Sequence, residues 1–215
     1  MDILVIPIYN RSEYLESTLW TLTPALDKDV LIMLADDGST DLTVKRICKN
    51  FIKRVDNQVL CWHLNNVGVA TNLLRGIEGA LKVLAPVVPD AIITLDSDFI
   101  VKPTFLIRLR ELLAKVGGED VIITGFNATS HPVLEYYRGY AQKKTIGGGN
   151  LCFTMGAYHK HVKPCLTNNL WDWNVVGSVK KAGGKFYCTI PSVAQHIGKN
   201  SLLNHPQADY AIDYE

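Results

Sequence analysis

The sequence predicts an α/β domain with a mainly parallel central sheet flanked by helices. Three observations point there. Short apolar runs alternate with longer segments of helical spacing up to residue 126. The runs are continuous rather than alternating, as strands buried on both faces are. Asp and Asn residues collect just after the runs, at the carboxyl ends where an open α/β sheet binds its ligands.

Ile3–Ile6 is the first run, and Glu13–Leu22 comes next with apolar residues at helical spacing. Val30–Ala35 is the second run, followed by helical Asp41–Ile52, for which Asp41 is a suitable N-cap. Val59–Leu64 is the third, with Ala70–Leu84 as its helix. Ala91–Leu95 is the fourth; Thr104–Lys115 is its helix, with Pro103 suited to a first helical turn. Val121–Phe126 is the fifth. Alternation of this kind builds βαβ units around a buried sheet. The rhythm breaks after residue 127. Asn127–Thr145 is polar and aromatic, and Gly147-Gly148-Gly149 marks a loop wall or a turn into a strand at Asn150–Thr154. Asp172–Ala182 is helical again and ends at Gly183-Gly184, and Phe186–Ile190 and Val193–His196 read as late strands.

Composition narrows the function classes. With 22 basic and 21 acidic side chains, net charge +1, broad electrostatic binding to nucleic acid or anionic lipid is not expected. The longest stretch free of Asp, Glu, Lys and Arg, Asn57–Leu74, holds Asn, Gln and His and is no membrane span. The N-terminus lacks the basic lead and apolar length of a signal peptide. The five cysteines are far apart with no CxxC pair, which suits reduced thiols and a cytoplasmic location. A single domain is expected over residues 1–215. No Gly-Lys-Ser/Thr follows the glycine run, and no G-x-G-x-x-G follows the first strand, so P-loop and dinucleotide chemistry are disfavoured.

The strand ends carry Pro7-Ile8-Tyr9-Asn10, Asp36-Asp37-Gly38-Ser39-Thr40-Asp41, Asn65-Asn66-Val67-Gly68 and Asp96-Ser97-Asp98. Helix caps and turns use the same residue types, so each motif alone is modest. Asp96-Ser97-Asp98 is the sharpest. In a strand-like stretch residues i and i+2 share a side, and two carboxylates together suit a hard cation, Mn²⁺ or Mg²⁺. Such a cation completes its shell with water and phosphate oxygens. His159 and His161 mimic a metal pair but follow no strand end, and they read as structural.

Taken together, in this order and spacing, the motifs resemble those of GT-A-fold nucleotide-sugar glycosyltransferases, close to the inverting family two. Pro7-Ile8-Tyr9-Asn10 resembles that family's P-x-Y-N, Asp36–Asp41 its D-D-G-S-x-D, Asn66-x-Gly68 with Arg75-Gly76-Ile77 its third segment, and Asp96-Ser97-Asp98 its DxD. Trp171-Asp172-Trp173-Asn174 with Ala182-Gly183 resembles E-D-x-D…A-G, and His196-Ile197-Gly198 a late H-x-G. The resemblance covers residues 3–198.

It implies a donor half at 1–98 and an acceptor half at 99–215, binding a nucleotide-sugar, UDP-linked, and a glycan acceptor. Pro7, Ile8, Tyr9, Asn10, Asp36, Asp37, Asn66, Gly68 and Arg75 would hold the nucleotide. Asp96 and Ser97 would lie near the ribose and donor sugar. Asp98 would bind the metal, with His196 and Asp96 as further ligands, although His196 also reads as an ordinary core or loop histidine. Asp172 is the candidate general base. Flanking indoles would raise its pKa toward a useful range, and a helix N-cap is its other reading. Trp171 and Trp173 would stack on an acceptor or pack in the core, with Gly148 and Gly149 as a wall.

Leu73-Leu74 stand where the family has Arg-Asn, so Asn72 or Arg75 would take over that contact; Trp171 and Asn174 replace two acidic residues. The segment 199–215, with Lys199, Asn200, Ser201, His205 and Asp209, is expected to fold over the diphosphate as a lid. A sugar-nucleotide pyrophosphorylase and a non-catalytic nucleotide- or carbohydrate-binding module are the rival readings. The family also has longer multidomain members, of which this chain could be one domain.

Overall fold

The computed structural model describes residues 1–63, 65–199 and 209–214. The expected alternation is present. β1 (Asp2–Ile8) leads to α1 (Ser12–Leu22), β2 (Val30–Asp36) to α2 (Leu42–Ile52), β3 (Val59–His63) to α3 (Val69–Leu84) and β4 (Ile92–Leu95) to a short β5 (Phe99–Val101). Then come α4 (Phe105–Val116), β6 (Val121–Thr124), the hairpin β7 (Val133–Tyr137) and β8 (Tyr140–Lys143), and β9 (Asn150–Phe153). The last elements are the short α5 (Met155–Ala157), α6 (Trp171–Lys181), β10 (Lys185–Thr189) and β11 (Ala194–His196).

Nine strands form one sheet in the order β3-β2-β1-β4-β9-β6-β10-β8-β7. β3, β2, β1 and β4 run parallel, and β6 with β10 also pair parallel. The strand β9 runs antiparallel between β4 and β6, and β8 antiparallel to β10. The sheet is therefore mostly parallel, with helices covering both faces. β1 and β2 are buried along their whole length, which is why they read as unbroken apolar runs. One face packs α1, α2 and α4 through Leu15, Phe51 and Leu109. The other packs α3 and α6 through Ile77, Val176 and Val179. A Cβ on Gly76 would stand 2.8 Å from Val5 Cγ1, so this glycine lets α3 lie close on β1.

Several expectations hold in detail. Asp41 caps α2, its carboxylate accepting from Thr43 N at 2.8 Å. His161 is 2% exposed and bonded to Asp120 at 2.7 Å and Ser178 at 2.8 Å, a satisfied core histidine. One does not: Pro103, expected in a first helical turn, lies before α4, whose N-cap is Thr104. Among the described residues no helix is long and apolar enough to cross a membrane. Two features differ from the sequence reading. Asn127–Thr145 contains the β7–β8 hairpin, and Phe99–Val101 is a strand that pairs antiparallel with β11.

The β5–β11 ribbon matters most for the site. Its register sets His196 opposite Phe99, and Ile197 N donates to Asp98 O at 2.9 Å. A residue nearly a hundred positions later is thereby returned to the end of β4.

Candidate active site

The carboxyl ends of β1, β2 and β4 border a cleft of about 470 Å³. Pro7, Tyr9, Asp37, Asn66, Gly68, Asp96, Ser97, Asp98 and His196 all line it, together with Arg11, Asn72 and Asn169. A groove of similar size between α1 and α2 holds Trp20 and Arg54 but none of the motif residues.

The loops around the cleft are tied by side chains. Asn10 and Arg11 adopt left-handed backbone, φ 54° and 56°, and Asn is among the residues that tolerate it best. Asn10 N donates to Ser39 Oγ at 2.7 Å, and Asn10 Oδ1 accepts from Thr40 N at 2.9 Å and Asp41 N at 3.1 Å. Asn10 thus joins the β1 and β2 loops rather than facing the cleft. Asp36 is 3% exposed and accepts from Ser39 N at 2.9 Å. Asp37 accepts from Val67 N at 2.8 Å through Oδ1 and from Gly68 N at 2.9 Å through Oδ2. Gly68, at φ +83°, starts α3 under that carboxylate. Arg75 is exposed on α3 and does not line the cleft.

Asp96-Ser97-Asp98 is a turn between β4 and β5, not extended strand; Phe99 N donates to Asp96 O at 3.3 Å. The strand argument for a shared side does not apply, yet both carboxylates reach the same cleft. Asp98 Oδ2 accepts from Arg11 Nη1 at 2.9 Å and meets His196 Nε2 at 3.2 Å. A Cβ on Gly198 would sit 2.2 Å from Asp98 Oδ2 and 2.7 Å from His196 Nε2. The glycine therefore leaves room beside both groups. Among the described residues no three His, Cys, Asp or Glu side chains cluster tightly enough to hold a metal ion. A carboxylate and an imidazole are a fitting protein share for Mn²⁺, or for Mg²⁺ through Asp98, when water and phosphate supply the remaining oxygens.

The strand β9 brings the glycine loop to these carboxylates. Asp96 N donates to Gly149 O at 2.8 Å. A Cβ on Gly149 would lie 2.6 Å from the Phe99 ring, and one on Gly148 2.7 Å from the Trp171 ring and 3.1 Å from Asp172 Cβ. The backbone of Gly148-Gly149 is thus wedged between the Asp96 turn and the first turn of α6. Burial raises the Asp96 carboxyl well above the ordinary carboxylate range, and the negative charges of Asp98 and Asp172 add to it, with Arg11 opposing. Asp98 and Asp172 both set negative charge against Asp96, and a cation beside that group would relieve it.

Asp172 lies in the first turn of α6 but is not its cap, which is Leu170. The two indoles do not enclose it. Trp171 is 5% exposed and packs in the core, whereas Trp173 is 55% exposed. Successive helix residues point about 100° apart, so this split is what a helix imposes. Trp173 instead stands 6.2 Å from the His131 ring.

His131 belongs to none of the sequence motifs, and only the fold brings it to the site. It shares a hydrogen bond of 2.8 Å with Thr145 Oγ1. Burial lowers its pKa; Lys143 lowers it further, while Asp209 and Asp172 act the other way. A histidine whose folded pKa is depressed stabilises the fold above its unfolded value of about 6.5, and that contribution is lost as pH falls through the folded pKa. Wild-type thermal stability is therefore expected to drop more than that of His131→Gln when pH falls from about 7.5 to about 5.5, across that unfolded value. Equal drops in the two proteins would assign the pH dependence elsewhere.

The expected lid falls mostly on residues 200–208 and 215, including Asn200, Ser201 and His205, which lie outside the described residues. At its start, Lys199 O accepts from Arg11 Nη2 at 3.2 Å. Asp209 accepts from Ser130 Oγ at 2.7 Å and Thr129 Oγ1 at 3.2 Å.

With this geometry in place, likeness to known proteins is informative. A family model described as Glycosyl transferase family 2 matches residues 3–170. The match ends just before α6, so the placement of Asp172 rests on the geometry above. A curated relative, "Glycosyltransferase GlyG" from Streptococcus pneumoniae serotype 4, is 31% identical over 125 residues, 58% of this chain and 38% of that protein. Among solved structures, GalNAc-T7 crystallised with UDP, GalNAc and Mn²⁺ superposes with a TM-score of 0.71 at 14% identity, over 94% of this chain and 44% of that one. S. aureus TarS 1-349 gives 0.57 at 14% identity, over 87% and 57%. Its complex with UDP-GlcNAc gives 0.50 at 14% identity, over 74% and 46%. The chain thus spans well under two thirds of the length of each of these proteins.

Proposed function

The chain belongs to glycosyl transferase family 2, and on that premise we propose that it moves a sugar from a nucleoside diphosphate, UDP, to a hydroxyl of a glycan acceptor with inversion. The observation that carries this reading is the convergence on the Gly148-Gly149 segment. On one side it meets the Asp96 turn and on the other Asp172. A donor anchored at Asp96–Asp98 would present its anomeric carbon across that short backbone to an acceptor oxygen beside Asp172.

Asp98 and His196 would hold Mn²⁺ or Mg²⁺. When bound, the cation supplies charge stabilisation to the departing diphosphate. Arg11, on the same carboxylate, would lie against the phosphates. Pro7, Ile8, Tyr9 and Asp37 would border the nucleoside. Asp172 would take the proton of the acceptor hydroxyl as that oxygen bonds to the anomeric carbon and the bond to the diphosphate oxygen breaks. A single displacement inverts the centre. Exposed Trp173 would offer an apolar face to the acceptor. The choice of UDP and Mn²⁺ is supported by the GalNAc-T7 and TarS structures, which share the fold and were determined with UDP and Mn²⁺ and with UDP-GlcNAc respectively.

A thermal-shift panel tests the donor side: UDP, GDP, dTDP and CMP, each with and without Mn²⁺. Ligand at about 100 times its Kd adds about 2.7 kcal/mol to stability, roughly 5–11 °C for a domain of this size. A shift with UDP that grows with Mn²⁺ is the expected result. No shift with any nucleotide at millimolar concentration would turn the reading toward a binding module for other ligands.

A further inference from the structure

The 22 basic and 21 acidic side chains are not evenly spread. Residues 42–54, which are α2 and the two residues after it, carry Lys45, Arg46, Lys49, Lys53 and Arg54 and no Asp or Glu. All five cations are exposed, and none forms an ion pair with a described residue. The other face of α2, with Val44, Ile47, Cys48 and Phe51, is buried in the core. Arg46, Lys49 and Lys53 follow one another at spacings of three and four, so they form one row along the outward face. Like charges at that spacing repel one another and weaken a helix.

Apolar side chains stand at both ends of that row. Leu42, where α2 begins, is 76% exposed. At the other end Trp20 of α1 is 70% exposed, and the Arg54 guanidinium lies 5.9 Å from its ring centre. Trp20, Arg46 and Arg54 also border the groove between the two helices, where Glu16 is the single acidic residue.

Cations alone would suit any polyanion. The exposed indole and leucine decide among them. At a bilayer an indole settles at headgroup level and apolar side chains reach the acyl boundary, while Lys and Arg meet anionic headgroups. A nucleic-acid backbone offers phosphates but no apolar layer. Clusters of about 4–8 cations on a helix are of the size that holds proteins to anionic lipid. None of these residues lines the cleft at the ends of β1, β2 and β4, so a surface docked on α2 leaves that cleft open.

We propose that the outward face of α2, with Trp20 at its edge, docks the protein on an anionic lipid bilayer. The chain as a whole carries only +1, so the attraction is local to this face. Docking here is independent of which donor the cleft binds.

The test is co-sedimentation of the full chain with vesicles, one set of phosphatidylcholine alone and one of equal parts phosphatidylcholine and phosphatidylglycerol. Binding is expected to the anionic vesicles only, and to fade as salt rises from about 0.05 to about 0.5 M, where screening is effective within a few ångströms. Each cation near such a surface is worth about fivefold in affinity, so Lys45→Gln/Lys49→Gln/Lys53→Gln should weaken binding roughly a hundredfold. Trp20→Ala tests the apolar part and serves where the triple variant does not fold. Anionic vesicles should shift the tryptophan emission of wild type to the blue, and the shift should vanish in Trp20→Ala. Equal binding to both vesicle sets, undiminished binding by the triple variant, or an emission shift that survives in Trp20→Ala overturns the assignment. Tight binding to double-stranded DNA with none to anionic vesicles does so too, and gives the face to a nucleic acid. Absence of vesicle binding by a chain that still binds UDP overturns the docking and leaves the nucleotide reading intact.

Discussion

Asp172→Asn is expected to lower the rate of sugar transfer by about 10²–10⁴-fold, the usual contribution of a positioned general base, while leaving nucleotide affinity unchanged. The amide has the same shape but cannot take a proton at neutral pH. The fold should tolerate it, because Asp172 Oδ1 accepts from Trp173 N at 2.8 Å and an amide oxygen can do the same. Asp172 is absent from the nucleotide end of the cleft, which Pro7, Tyr9, Asp37 and Asn72 line. Binding and chemistry should therefore separate, with kcat falling at constant nucleotide Kd. Such a split marks an interaction made only in the transition state. Near-normal transfer would place the base elsewhere, and His131, close enough for Asp172 to affect its titration, would be the next residue to change.

The parts of this site that sequence could show are those set by local chemistry. The ends of β1, β2 and β4 carry polar residues directly after buried apolar runs, and the sheet sets these three strands side by side in the order β2-β1-β4. Asp41 is a cap because a helical segment begins at the next residue, and Gly76 a glycine because α3 presses on β1. The parts hidden from sequence depend on strand pairing between distant segments. β9 reads correctly as a strand, yet nothing local says that it inserts antiparallel between β4 and β6. That insertion is what delivers Gly149 to Asp96. The three residues of β5 are too few for a periodicity, and without β5 there is no partner to bring His196 onto Asp98.

Other differences have equally specific causes. Asn10 matches a family motif, but its left-handed backbone turns the amide to the β2 loop, so its work is to join two loops. Arg75 is exposed on α3 and does not line the cleft, whereas Asn72, three residues earlier, is buried and does. Arg11 lies outside the motif proper, yet its position carries a signal: it is the cation directly after P-x-Y-N, one step from the turn that Asn10 holds.

Asp98→Ala is expected to abolish the manganese dependence of nucleotide binding and to lower transfer by at least about a thousandfold, since a metal at a leaving phosphate is worth several kcal/mol of transition-state stabilisation. The variant does more than delete one ligand. Asp98 Oδ2 also holds Arg11 and His196, so its loss frees a guanidinium beside the phosphates. That change alone tends to strengthen metal-free UDP binding, because Arg pairs well with phosphate oxygens. The informative quantity is therefore the ratio of UDP affinity with and without Mn²⁺, not either value by itself. In wild type the ratio should exceed one by a wide margin. In Asp98→Ala it should approach one, even where metal-free binding rises. Arg11→Ala gives the complementary result, weaker UDP binding with the manganese ratio retained, because it removes the competing cation and leaves the carboxylate. A ratio that survives in Asp98→Ala would mean that Asp96 and His196 hold the metal between them, and that the Asp98–Arg11 pair is a loop clasp.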